Sequence, residues 1–185
     1  MHQSVHHTVE CLKAKGLILF PTDTIWGLGG DATAQEVVSS VYLLKNRIYS
    51  KALLCLMKDI DMVRDFFAEV PLSAIKLFEE ERPTTVILDK PRGIAKNMIA
   101  ADDSLAVRIP KDDFCQALLT AFGKPIIATS ANTSGHPSPQ CFSEIENSIL
   151  EGVDYIVPLK KDLKMTQPSR IVKVDKSGDL TVIRS

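Results

Sequence analysis

Short apolar runs rich in branched side chains recur along this chain, and the segments between them carry apolar residues at helical spacing. The runs are Leu17-Ile18-Leu19-Phe20, Ala52 to Met57, Thr85 to Leu88, Leu105 to Ile109 and Ile126 to Ala128. They read as strands, and their alternation with helices is the pattern of an α/β protein. At 185 residues and 45% hydrophobic content the chain suffices for one well-buried domain, residues 1–185.

Between the first two runs, Thr33 and Glu36 form a capping-box pattern ahead of Val37, Val38, Val41 and Leu44, which mark one face of a helix running toward Lys45. Asp59 to Ala68 and Leu72 to Glu81 read as two further helices split by Pro71. Asp112 and Asp113 open another, with Phe114, Leu118, Leu119 and Phe122 on one face and Gly123 as its stop. A last helix is expected over Phe142 to Leu150. The tail alternates around Lys176-Ser177-Gly178-Asp179 and reads as a hairpin that adds antiparallel strands. The long irregular stretches are Asn132 to Gln140 and Lys160 to Ser169, the kind of segment in which function tends to lie.

Several function classes recede on composition. Cys11, Cys55, Cys115 and Cys141 stand singly, without the close pairs of zinc or redox motifs, which fits a reduced, cytoplasmic protein. No apolar run approaches the roughly 18 residues of a membrane span, and no basic patch with an apolar leader opens the chain. A net charge of -1 provides no global field for nucleic acid, so any RNA contact has to be local. His2, His6 and His7 read as a mobile polar terminus rather than a metal site.

Three segments carry chemistry that a fold alone does not need. In Phe20 to Ala32 a strand meets a Pro-Thr-Asp-Thr turn and a glycine-rich stretch, with the hydroxyls of Thr22 and Thr24 at the strand mouth and Asp23 satisfying local amides. Lys45 and Arg47 place cations at a helix end, followed by Ser50 and Lys51, and fixed positive charge is what a triphosphate requires. Thr129 to Pro139 follows a strand with Ser130, Asn132, Ser134 and Gly135, a dense set of donors where α/β proteins place ligands. Ser134 lacks the elbow of a serine hydrolase, and His136 reads as a surface residue. Arg108, flanked by Val107 and Ile109, needs partners. Either it pairs with Asp102 or Asp103, or it clamps a ligand.

Taken in order, Pro21 to Gly29, Lys45-Asn46-Arg47, Thr85-Val86, Ser104 to Pro110, Gly123-Lys124-Pro125 and Ser130 to Gly135 resemble the YrdC-like family of threonylcarbamoyl-AMP synthases over nearly the whole chain. The resemblance implies a twisted mixed parallel and antiparallel sheet with helices on its outer face and a central cleft. It implies synthesis of threonylcarbamoyl-AMP and pyrophosphate from L-threonine, bicarbonate and ATP with Mg2+, for the threonylcarbamoyladenosine modification of tRNA, with a downstream transferase as partner. It places Lys45, Arg47, Ser130 and Asn132 at the chemistry, on a solvent-accessible cleft. Lys51, Thr85, Ser138 and Arg184 fall at the nucleotide, and Thr22, Thr24, Arg108 and Ser169 at threonine.

The chain departs from the family's pattern in four places: Trp26 stands for Tyr or Phe, Arg82 to Thr85 for Trp-Pro-Gly-Pro, Ile48 for the proline after Lys-x-Arg, and Arg170 for Thr in Pro-Ser-Thr-Ile. Two other readings stay open: a non-catalytic module of the same fold that binds double-stranded RNA or tRNA, and a carbamoyl-phosphate-dependent transfer domain.

Overall fold

The apolar runs become strands, and two more strands arise where the sequence offers no run. The computed structural model describes residues 1–46 and 53–185. In chain order the elements are α1 (His2–Lys13), β1 (Ile18–Phe20), β2 (Gly27–Gly29), α2 (Gln35–Leu44), β3 (Leu54–Leu56), α3 (Ile60–Phe66), α4 (Leu72–Glu79), β4 (Thr84–Asp89), β5 (Ser104–Arg108), α5 (Asp113–Phe122), β6 (Ile126–Ser130), α6 (Asn147–Glu151), β7 (Tyr155–Ile156), β8 (Arg170–Val174) and β9 (Leu180–Arg184). Among the described residues the strands form one mixed sheet in the order β7-β1-β2-β6-β3-β5-β4-β8-β9, with β1–β7, β3–β5 and β4–β8 parallel and the other neighbours antiparallel.

Register divides the side chains between two faces. Val172, Val86, Val107, Cys55 and Ile127 form one row across β8, β4, β5, β3 and β6, and every one of them is fully buried. They meet the apolar faces of α2, α3 and α4. One residue further along, Ile87, Ala106, Leu54 and Ala128 form a row on the opposite face. There α1 and α5 cover Ile18, Phe20, Leu56 and Ala128 and leave the rest of the face uncovered. Helices therefore pack on both faces, not on one outer face, because strands this apolar have two surfaces to bury.

Local chemistry explains where the elements stop. Asp112 accepts the Cys115 N–H at 3.0 Å and opens α5, and Gly123 closes it at φ 73°, a conformation that costs glycine little. The capping box ahead of α2 does not form. Ala34 is the cap, Thr33 gives its N–H and hydroxyl to Asp31, and Glu36 pairs with Lys15. The glycine-rich stretch becomes strand β2, where the bare Cα of Gly29 allows close pairing: a Cβ there would lie 2.4 Å from the Ile127 carbonyl oxygen. The segment 142–150 breaks into a 3-10 turn at Phe142–Glu144 and the short α6.

The amino-terminal segment corrects another expectation. It is helix α1, with Val5, Val9 and Leu12 buried against α5, while His2, His6 and His7 lie on its exposed side. The spacing of those three apolar residues is helical, and the intervening histidines mask it.

Candidate active site

The uncovered half of the sheet is the floor of a cavity of about 410 Å³. Small side chains at Ala106 and Ala128 leave the space, and the strand ends and the two long loops wall it. Of the residues expected at a site, Thr22, Thr24, Thr85, Arg108, Ser130, Ser138, Ser169 and Arg184 all line it. Arg47 and Lys51, with Ser50, lie outside the described residues.

Arg108 anchors one end. It is 2% exposed, and its Nη1 donates to the Thr24 hydroxyl at 2.6 Å. The Thr22 hydroxyl donates to the Ile25 carbonyl at 2.8 Å and meets Thr24 Oγ1 at 3.0 Å, which sets a chain of donation from Arg108 to Thr24, Thr22 and the Pro-Thr-Asp-Thr turn. The ionic partner is neither Asp102 nor Asp103. It is Asp23, whose carboxylate lies 3.4 Å from Arg108 Nη2 and also accepts the Lys111 N–H at 3.1 Å. Asp102 instead pairs with Lys173, outside the cavity, because β5 carries Arg108 at the opposite end from Asp102. Burial pushes the Arg108 guanidinium below its ordinary range, Asp23 opposes this, and Arg184 adds to it. Arg108 Nε and one Asp23 oxygen are buried without a hydrogen-bond partner among the described residues.

Thr85 and Arg184, expected with the nucleotide, stand level with Arg108. Register carries a line from Arg184 through Ile171 and Thr85 toward Arg108, one strand to the next. The Thr85 and Ser169 hydroxyls meet at 2.8 Å, and Arg184 grips the Ser169 carbonyl through Nε and Nη2 at 3.1 and 2.7 Å. Two cations thus share this end. Ser130 lies further along the sheet: Arg108 is level with Ile126, two strands away, and Ser130 is four residues beyond Ile126, a rise of about 13 Å along β6, where it pairs with Gly27.

Lys45 is not on the open cleft. It is 1% exposed, and its Nζ donates to the carbonyls of Ser130 and Asn132, the latter at 2.5 Å, with Asn132 Oδ1 at 3.4 Å. A buried ammonium needs oxygen partners, and the end of β6 supplies them. Asn132 is likewise buried and does not line the cavity, while Ser130 lines it and donates its hydroxyl to Asn132 Oδ1 at 2.5 Å.

Four more residues contribute, two of them, Trp26 and Asp23, noted in the sequence for other reasons. Trp26 is fully buried, lines the cavity and meets the Phe142 ring at 5.1 Å with the planes tilted by 56°. Asp23 has its main role in the Arg108 pair. Gln140 and Met165 join the two long loops over the cavity by a main-chain bond of 2.6 Å. Loop length was the signal for the last two, and nothing in their local sequence singles them out.

Fold and site together define an α/β domain with a cationic, hydroxyl-lined ligand cleft on one face of its sheet. The chain belongs to the Sua5/YciO/YrdC domain family, whose profile carries the description telomere recombination and matches residues 10–185. Threonylcarbamoyl-AMP synthase of Xanthomonas oryzae pv. oryzae is 28% identical over 172 residues, covering 91% of both chains. The synthase of Methylococcus capsulatus is 35% identical over 129 residues, 69% of each. A crystal structure of P. abyssi Sua5 complexed with L-threonine superposes with a TM-score of 0.88 at 23% identity. It covers all of this chain, which in turn spans 54% of that longer protein. Among the described residues no helix is long and apolar enough to cross a membrane.

Proposed function

We propose that this protein is a threonylcarbamoyl-AMP synthase, forming that adenylate and pyrophosphate from L-threonine, bicarbonate and ATP. The observation that carries the reading is one cavity lined together by a buried arginine, a relay of hydroxyls and a serine-rich loop. A buried cation is stabilised by an anion, and the carboxylate of an amino acid has the size and charge to meet Arg108. Thr22, Thr24, Thr85 and Ser169 would hold threonine's amino and hydroxyl groups. Ser130, Ser138 and the cations Arg47 and Lys51 would serve the nucleotide, and Arg184 a phosphate beside the threonine end.

The chemistry balances on these groups. Threonine's ammonium and bicarbonate give a carbamate, water and a proton. A carbamate oxygen then bonds to the α-phosphorus of ATP while the bond to the β-phosphate bridging oxygen breaks, and pyrophosphate leaves. The carbamate and ATP are both anionic, so the cleft's cations lower their repulsion. Mg2+ would arrive on the triphosphate. No three His, Cys, Asp or Glu side chains cluster among the described residues, so phosphate and hydroxyl oxygens would be its ligands. The walls also shield a labile mixed anhydride from water. A cytoplasmic setting, tRNA as the final acceptor and a downstream transferase follow from this reading.

Pyrophosphate release from ATP and Mg2+, with threonine and bicarbonate omitted in turn and the adenylate sought by mass spectrometry, tests it. Release that needs both substrates is the expected result. Folded protein that releases none, yet binds RNA in a steeply salt-dependent way, would move the function to an RNA-binding module.

A further inference from the structure

Outside the cavity, one carboxylate holds the loop that orients Ser130 and Asn132. Glu146 immediately precedes α6, and its backbone is fixed: its carbonyl accepts the N–H groups of Ile149 and Leu150 at 3.0 and 3.1 Å. Its neighbours Ile145 and Ile149 are buried with Trp26 and Ala131. From this post one carboxylate oxygen accepts the Thr133 hydroxyl at 2.5 Å, and the other meets His136 Nδ1 at 2.8 Å. The carbonyls of the same two loop residues take the amide hydrogens of Asn132 Nδ2, at 3.1 and 2.6 Å. Acceptors on that side fix which way the amide points and turn Oδ1 toward Ser130 and Lys45. The Thr133 hydroxyl first, and then His136, hold the Glu146 carboxyl below its usual range.

We propose that Glu146 is a positioning residue for this site: by clamping Thr133 and His136 it holds the Asn132 amide in the orientation that aims the Ser130 hydroxyl. Glu146 does not line the cavity, and it acts through the loop. The loop needs such a post because it has no helix or strand of its own. Besides the clamp and the Asn132 amide, it is tied by the Ser134 N–H to the Lys45 carbonyl at 2.8 Å, by a turn from His136 to Thr133 at 3.1 Å and, at its far end, by Gln140 to Met165 and Glu144. Ordering a chain of small, turn-forming residues is costly in entropy, and the two bonds to Glu146 offset that cost.

Solvent exchange of the Asn132 side-chain amide hydrogens, followed by NMR, reads this arrangement without reference to turnover. Glu146→Ala is expected to speed that exchange on the order of tenfold. Glu146→Gln keeps a carbonyl oxygen for Thr133 and is expected to change it much less. Unchanged exchange in folded Glu146→Ala overturns the proposal. The kinetic arm rests on the synthase reading: Glu146→Ala should lower kcat on the order of tenfold to a hundredfold while leaving the threonine KM within about twofold, since Arg108 is held by Thr24, Thr22 and Asp23 rather than by this loop. A threonine KM that rises as kcat falls, or equal losses in the Gln and Ala variants, also overturns it. Wild-type protein without turnover, but with Glu146-dependent exchange at Asn132, removes the synthase reading and leaves the positioning role standing. Should Glu146→Ala fail to fold, Thr133→Val removes one of the two bonds and carries the same readouts.

Discussion

Two buried cations do different work in this protein, and their partners show which. Lys45 gives its ammonium to main-chain carbonyls and braces the end of β6, whereas Arg108 faces the cavity with Asp23 behind it. Replacing Lys45 by Met strands two carbonyls, so a loss of about 1–3 kcal/mol in urea unfolding is expected together with the loss of turnover. A variant as stable as the wild type would show that the brace is dispensable. Arg108→Ala leaves the Asp23 carboxylate, with 10% of its side chain exposed, without its cation. It should lower stability by about 3 kcal/mol and abolish threonine binding by calorimetry. Because the two charges act as a pair, adding Asp23→Ala to Arg108→Ala should cost less than the sum of the single losses, and additivity would refute the pairing.

At the scale of elements, the site depends on helices and loops that never touch a ligand. Asp112 caps α5 with one oxygen and holds Lys160 with the other, tying the 160–169 loop to a helix that covers part of the same sheet face as the cavity. Asp112→Ala is therefore expected to cost about 1–2 kcal/mol, the cap alone being worth about 1. It should also quicken proteolysis within residues 160–169. Cleavage no faster than in the wild type would separate the cap from the loop. In strand β2, Gly29 lets two strands approach, as the 2.4 Å contact shows, while Gly27 lines the cavity.

For the molecule as a whole, the three apolar clusters share one sheet, so unfolding should be a single event. Trp26 is the sole tryptophan, is fully buried and sits where the smallest cluster meets the cavity. Its fluorescence and the far-UV circular dichroism are expected to give the same denaturant midpoint. A Trp26 transition at lower denaturant would mean that the site wall melts by itself.

Much of this architecture was legible in the residues. Apolar runs marked most of the strands, Asp112 and Gly123 marked both ends of α5, and the small polar residues after Ala128 marked one wall of the cavity. These features act over a few residues, and their physics is local: alternation, capping and left-handed backbone. Long-range pairing is of another kind. Whether a buried arginine takes Asp23 or Asp102, whether a lysine faces solvent or carbonyls, and whether three glycines make a turn or a strand depends on which segments lie side by side. The chain itself specified an α/β domain with anion-binding chemistry at its strand ends. Only the tertiary structure decided which cation faces the cavity and which one braces its wall, because burial and partnership are set by the register of strands far apart in sequence.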